Sequence, residues 1–593
     1  MSFRYIGLCL ILAACCAVSF LGAQESSPPD SLLNIPDANL GGDLQHIMHK
    51  HKLLIRMYPL LFRTEDTEAQ SSEKPEDFEE YRGRRIAKIN IISKDVFNKP
   101  NSANTSRLFG GLIRLGNTLH PKTRERLIRD QLFFTEGDSL NPEYLISNLQ
   151  YIYDQALFSE IEFEIVYTPD NEVEINVYTR QKFFLKVNGS FANKNKFNIG
   201  IFDRNLFGLG HSLENTWYID SKNQETIGWE SSFTNSNVLG SFAQGIVHWV
   251  DLPGQRQVEL KVQRPFIYPL FRYSGGSEFN SNSISAPKDS VSVNKMESGA
   301  WIARNFDYFD YPRYAYAALS VNRDWYPKRP SSTVETGMPW QESFFALGAL
   351  AFTQSVYRYM PRVSSFLDND HLPVGFLFEL YSGVDIGEYK TRPFSGLYGS
   401  LSIFPGEDQY LYLKSALEGF WVDGRVEEGV FALEPLYISQ TTNLARIKAR
   451  SFINARYVRS RRILETQSIS LKSSPVYRGT KDLSGTDLIY TSLEEDLSLP
   501  LSMFGFQITT FAFADMAFMR DDRLEKNKNS SLFSQGLGLR LRNPSLIWDF
   551  IELFLSIDQS LKSKPGFGVE LRLKSPVNLE GFTGRRPQRY DFQ

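Results

Sequence analysis

The chain has 593 residues, with 65 Lys and Arg against 68 Asp and Glu, for a formal net charge of −3. That length exceeds one ordinary soluble core and predicts two or more units, and the near balance of charge excludes a global basic field for nucleic acid. A mean hydropathy of −0.30 is too polar for a helical membrane protein but suits a transmembrane barrel, where only every second residue of a strand meets lipid.

Met1-Ser2-Phe3-Arg4, an apolar run from Tyr5 to Leu21 and Gly22-Ala23-Gln24 read as a secretory signal cleaved after Ala23. Cys9, Cys15 and Cys16 all lie inside it, so the mature chain is expected to hold no disulfide. Leu12-Ala13-Ala14-Cys15 also resembles a lipoprotein cleavage box, but the residues that follow stay apolar through Leu21. Residues 24–82 are expected to be a linker or N-terminal extension. Leu44 to Leu61 would line part of a helix broken at Pro59, and Glu65 to Glu80 is an acidic, solvated run. His46, His49 and His51 cluster here without a Cys or a fixed ligand frame. They are read as surface histidines, and no metal site is expected.

Residues 83–181 read as one small α/β domain. Ile86 to Ile92 alternates as a strand, and a helix starts at Thr123 to Arg126. Gly137 sits in the turn Thr135-Glu136-Gly137-Asp138, where a positive φ suits it. Asn141 and Pro142 mark an N-cap and first helical position, and Leu145, Leu149, Ile152 and Ala156 make a helical stripe. Strands Glu160 to Tyr167 and Glu172 to Thr179 follow across Pro169-Asp170-Asn171.

From Phe183 onward the pattern is strands only. Val258, Leu260 and Val262 oppose Glu259, Lys261 and Gln263; Val569, Leu571 and Leu573 oppose Glu570, Arg572 and Lys574. Strands apolar on one side and charged on the other fit a wall with lipid outside and water inside. Aromatics, 14% of the chain with 45 Phe and 28 Tyr, would supply the girdles at the two interfaces. The fold class is therefore an all-β transmembrane barrel after a small α/β domain. Residues 182–577, at ~24 residues per strand with its connection, predict about sixteen antiparallel strands. The alternative is a large soluble array of β-sandwiches. Residues 578–593 form a tail after the barrel.

Several stretches carry more specific signals. Thr135 to Asp138 through Ala156-Leu157-Phe158-Ser159-Glu160-Ile161 places a glycine turn before a helix that ends at a strand with Phe158. Asn205-Leu206-Phe207-Gly208-Leu209-Gly210 resembles an Asn-Leu-x-Gly-x-Gly hairpin of the family named below, near the barrel start. Val476-Tyr477-Arg478-Gly479 precedes a strand ending Asp496-Leu497-Ser498-Leu499-Pro500, and then one with Phe513-Ala514-Asp515-Met516-Ala517. Phe513 and Asp515 share a face by period two, opposite Ala512, Ala514 and Met516. A carboxylate inside a barrel wall wants a cation, and Arg offers a bidentate fork. Otherwise Arg478 is an exposed loop residue and Asp515 is hydrated.

These features, over about residues 83–577, resemble the BamA/TamA and two-partner-secretion superfamily of bacterial surface antigen barrels, in which POTRA domains precede a sixteen-stranded barrel. The resemblance implies that Tyr477, Arg478 and Gly479 tip a loop folded into the lumen, with Arg478 contacting Asp515. Thr480 stands where an aromatic is usual, and Ala517 replaces a glycine. It also implies an outer-membrane location with the POTRA domain in the periplasm. A client strand would add near Glu172 to Thr179. The barrel would be weakly closed between its first strand, which holds Asn188-Gly189-Ser190, and its last, which Pro576 ends. The tail departs from the family pattern. It would enter the periplasm or the barrel mouth, either docking an accessory subunit or disordered.

No Gly-x-Ser-x-Gly elbow, zinc motif or P-loop stands in the chain, and His211, His248 and His371 are each isolated. No enzyme activity and no cofactor are expected. The reading is a factor that inserts or exports other polypeptides. Its partners would be unfolded outer-membrane or secreted clients, outer-membrane lipids and accessory lipoproteins, with no nucleic acid. The alternatives are a dedicated secretion translocator for one partner and a passive outer-membrane pore.

Overall fold

The computed structural model describes residues 75–94, 123–572 and 579–590, short internal segments excepted. The signal segment with its cysteines, the linker through residue 74, His46, His49, His51, Ala156, Leu573 and Pro576 lie outside the described residues.

A 3-10 turn, Pro75–Tyr81, leads into β1 (Ile86–Lys94). Then come α1 (Glu125–Arg129), α2 (Pro142–Asp154), β2 (Phe158–Tyr167) and β3 (Val173–Gln181). Asn141 caps α2, its side-chain oxygen accepting the amides of Glu143 at 2.8 Å and Tyr144 at 3.3 Å, with Pro142 in the first turn. Helical spacing brings Leu145, Leu149 and Ile152 to one buried face, packed with Ile86 and Phe158. Gly137 takes φ +99° and donates its amide to Ile86 O at 2.8 Å. Beside it Glu136 accepts the Ile89 amide at 3.0 Å, and that bond holds its carboxyl below the usual range.

The sheet order is β1-β3-β2, with β3 parallel to β1 and antiparallel to β2. This corrects the expectation of a free edge along Glu172 to Thr179. The β2–β3 hairpin folds the last strand back beside β1, so β3 is bonded on both sides and Val173, Ile175 and Val177 are fully buried. Among the described residues the edges are β1 and β2.

From Leu185 the chain runs as a closed barrel. Six short strands come first: β4 (Leu185–Asn193), β5 (Lys196–Leu206), β6 (His211–Asp220), β7 (Ile227–Asn235), β8 (Gln244–Leu252) and β9 (Gln255–Arg264). Eight strands of 13 to 17 residues follow: β10 (Tyr273–Ser285), β11 (Ser292–Phe306), β12 (Arg313–Lys328), β13 (Ser343–Tyr359), β14 (His371–Gly387), β15 (Thr391–Ile403), β16 (Tyr410–Val422) and β17 (Arg425–Ile438). The three-residue β18 (Thr442–Leu444) rides on β19 (Ile447–Arg461), which also pairs with β17. A two-stranded piece inside the next loop, β20 (Ile469–Ser470) and β21 (Ser484–Gly485), stands apart from the wall. The wall resumes with β22 (Asp487–Met503), β23 (Phe506–Arg520), β24 (Asn529–Arg542), β25 (Phe550–Ser560) and β26 (Ser563–Arg572), and β26 neighbours β4.

The described wall therefore holds twenty-one strands, counting β18, and not the sixteen expected. Tight hairpins account for the difference. Two residues each join β8 to β9 and β16 to β17, so the chain spends less length per strand than long outer loops would require. Outside, period two holds: Phe567, Val569 and Leu571 on β26 are 68%, 61% and 59% exposed. Leu319, Leu350, Phe378, Leu537 and Leu555 continue that exposed apolar surface round the wall.

Because neighbouring strands are antiparallel, the β5–β6, β7–β8, β9–β10, β11–β12 and β13–β14 connections share one end of the barrel. The α/β unit packs there. Phe242 meets Phe133 and Tyr151, Tyr153 stacks on His371 at 4.7 Å, and the Ser147 and Tyr311 hydroxyls lie 3.1 Å apart. The glycine hairpin is its tightest joint. Asn205 donates to Thr123 Oγ1 at 2.6 Å and accepts the Gly210 amide at 2.7 Å, while Arg124 donates its amide to Gly208 O at 3.1 Å. A Cβ on Gly210, which has φ +68°, would stand 2.7 Å from Leu127. Asn205→Ala leaves a buried amide and hydroxyl without these partners, at a cost of about 1–3 kcal/mol. Protease cleavage at Lys182, between unit and barrel, is expected to quicken while the barrel keeps its heat-modifiable migration; an unchanged cleavage rate would count against this joint.

Candidate functional site

Residues 467–486, between β19 and β22, fold into the lumen as a braced hairpin. Ile469 pairs with Gly485 and Ser470 with Ser484, and the Ser470 hydroxyl donates to Asp482 at 3.0 Å. At the tip, Tyr477 donates its hydroxyl to Lys481 O at 2.7 Å, which closes the turn. That ring explains Gly479: a Cβ there would lie 1.9 Å from the Tyr477 hydroxyl. Val476, Tyr477 and Arg478 are all buried.

The tip lands on the inner faces of β22 to β26. Period two and register converge the side chains. Glu494 on β22 lies opposite Phe513 on β23, Asp496 opposite Phe511, and Arg540 on β24 opposite Glu552 on β25. Arg478 donates from Nε to Glu552 at 3.0 Å and pairs through Nη2 with Glu494 at 2.5 Å. Arg540 donates to the other Glu552 oxygen at 2.9 Å and to Asp496 at 2.7 Å, and also bonds Glu494. The two guanidiniums thus share two glutamates. Each is roofed by aromatic rings: Arg540 lies 3.9 Å from the Phe511 centroid, and Arg478 lies 5.1 and 5.0 Å from those of Phe511 and Phe513. Phe513 and Phe511 fit directly opposite Gly536 and Gly538, where a Cβ would strike their rings.

A second contact holds the next residues of the tip. Asp558 on β25 accepts the amide of Thr480 at 2.6 Å, its hydroxyl, and the amide of Lys481 at 3.2 Å. Gly566 and Gly568 of β26 leave room for Thr480, since a Cβ on Gly568 would be 2.5 Å from Thr480 Cγ2. Arg572 of β26 donates to Tyr477 O at 2.9 Å. The last strand of the wall is therefore fastened to the loop.

The expected Arg478–Asp515 contact exists through the backbone only. Asp515 accepts the Arg478 amide at 3.1 Å, whereas the guanidinium goes to Glu494 and Glu552. The tip's main chain passes Asp515, and the long side chain reaches the next row of inward residues. Asp496 serves Arg540 rather than the loop. Sequence reading missed Glu494, Arg540 and Glu552. Their signal was a charged residue in the inward phase of an apolar strand, as Arg540 is between Leu539 and Leu541. Gly137, Leu145, Leu149 and Phe158 shape the α/β core, and Asn205, Gly208 and Gly210 shape the joint, both away from this cluster. Among the described residues no group of three or more His, Cys, Asp or Glu side chains is placed to hold a metal ion.

The tail also lies in the lumen, not at its mouth or beyond it. Residues 579–590 run along the inner wall of the long strands, because buried carboxylates there receive their arginines: Arg585 reaches Glu379 at 3.2 Å and Arg589 reaches Glu428 at 2.7 Å.

A closed wall, apolar outside and charged within, defines a transmembrane β-barrel, here with a folded-in loop and an α/β unit at one end. No family model and no curated protein matches the chain. It is similar to solved structures of BamA from Haemophilus ducreyi lacking POTRA domains 1–3, at 12% identity over 89% of this chain and 92% of that one, TM-score 0.34. CdiB from Acinetobacter baumannii is also similar, at 14% identity, 92% and 90% coverage and TM-score 0.35. So is CdiB from Escherichia coli, at 11% identity, 92% and 99% coverage and TM-score 0.36.

Proposed function

We propose that the protein is an outer-membrane factor that inserts or exports other polypeptides, with its α/β unit acting as a POTRA domain on the periplasmic side. The observation that carries this reading is the Arg478 tip, clamped by Glu494, Glu552 and Asp515 and tied to the last strand by Arg572. A loop so fastened sets the position of β26, the strand that meets β4 where the barrel closes. Client hairpins would pair at that closure, where Gly189 weakens β4. An unfolded client strand would add first to β2, which pairs only with β3 among the described residues and exposes Val166 and Tyr167. Clients are outer-membrane or secreted chains, lipid contacts the outward belt, and accessory lipoproteins are further partners; no catalytic step is assigned.

A photo-crosslinking residue in place of Glu162 on β2 tests the entry step. During active export it is expected to form adducts with nascent outer-membrane or secreted polypeptides. The absence of any polypeptide adduct would contradict entry at β2. The second reading, a translocator dedicated to one partner, is favoured by the single α/β unit among the described residues.

A further inference from the structure

We propose that the inner wall of β10 to β17 is a binding track for one extended, arginine- and aromatic-bearing peptide segment, and that residues 579–590 occupy it in cis as the plug of the pore. The track matches such a segment at three levels. It binds guanidinium groups: Arg585 meets Glu379 and lies 3.5 Å above the Tyr398 ring, and Arg589 meets Glu428 and lies 4.7 Å from Phe420. Glu379 and Glu428 are themselves almost wholly buried; the wall gives Glu379 the Tyr316 hydroxyl and Glu428 the Arg392 guanidinium, and the tail adds an arginine to each.

The track also binds main chain. Tyr314 and Tyr316 hydroxyls accept the amides of Gly584 at 3.1 Å and Arg585 at 3.3 Å, and the Ser320 hydroxyl donates to Pro587 O at 3.0 Å. It fits an apolar anchor too: Phe582 is fully buried, 5.8 Å from the Tyr412 ring. Gly581 and Gly584 let the strand lie flat, since a Cβ on either would come within 2.3 Å of the Tyr357 hydroxyl or 2.4 Å of the Phe266 ring. Contacts of this density would not serve a loosely held tail.

The physical need for a plug follows from width. A wall of this strand number encloses a lumen as wide as those that hold an aqueous channel or a plug. The loop tip covers only the β22–β26 side. The tail covers the neighbouring run of long strands, across β19 from the anchor, and the two meet at Glu428, which accepts from both Arg589 and Gln467. This inference does not depend on polypeptide transport, because a barrel that moved no client would still be plugged.

Planar-bilayer conductance of the purified full chain tests it, against a variant lacking residues 579–593 and a full-length Arg585→Glu/Arg589→Glu double variant. Heat-modifiable migration establishes that each barrel is folded. Both variants are expected to conduct several-fold more than the full chain. A synthetic peptide of residues 579–590 should close the truncated barrel again, and the same peptide with its three arginines replaced by glutamate should not. Should the truncated chain fail to fold, the full-length double variant carries the comparison. Folded variants that conduct like the full chain would overturn the proposal, as would equal block by the two peptides.

Discussion

Arg478→Ala is expected to cost the barrel about 3–5 kcal/mol, because it strips one of two cations from three fully buried carboxylates. Glu494 and Glu552 would keep only Arg540, and the loop would lose its grip on the wall. The check is the urea midpoint of the detergent-folded barrel, followed through heat-modifiable migration. Arg478→Lys is expected to fall between, since an ammonium keeps the charge but not the fork that spans two glutamates. Asp515→Asn discriminates further. It retains an oxygen for the Arg478 amide, so its loss should stay near 1 kcal/mol, whereas Glu552→Gln should approach the cost of Arg478→Ala. An Asp515→Asn loss as large as that of Arg478→Ala would mean that the guanidinium rests on Asp515 after all.

Gly536→Val is expected to be comparably damaging by an unrelated route. A Cβ at Gly536 would lie 2.0 Å from Leu555 O and 2.6 Å from the Phe513 ring. Neither the neighbouring backbone nor a ring held edge-on against Phe554 at 5.8 Å can yield cheaply. The cost of such overpacking is about 3 kcal/mol or more, and displacing Phe513 would unroof Arg478 as well. The same urea midpoint reports it. Gly137→Ala supplies the contrast: nothing lies within 4 Å of its Cβ, so only the positive φ opposes the change. A Gly536→Val barrel as stable as the parent would refute the close packing of β23 on β24.

Features that depend on neighbours along the chain were legible in the sequence. The alternation of Val569 and Leu571 with Glu570 and Arg572, the Asn141 cap and the Leu145–Leu149–Ile152 stripe each follow from spacing alone, and the Asn205–Gly210 hairpin from its resemblance to a family motif. Features that depend on how distant strands line up were not. Asp515 was a reasonable partner for Arg478 by motif. The actual choice of Glu494 and Glu552 follows from the β22–β23 and β24–β25 registers, which no local pattern encodes. The place of β3 in the middle of its sheet likewise depends on which side the hairpin returns to. The strand number escaped because connection lengths vary widely round the wall, from two residues at Asp423-Gly424 to the long lumenal loop. The tail was unreadable because its arginines find carboxylates more than a hundred residues away in sequence.

Conditional depletion of the protein, followed by quantitative proteomics of the outer membrane, tests the central claim most directly. The account predicts loss of outer-membrane or surface proteins, broad if the factor is general and confined to one or a few if it serves a dedicated partner. An unchanged outer-membrane proteome after depletion would contradict it and leave a pore or a structural barrel in its place.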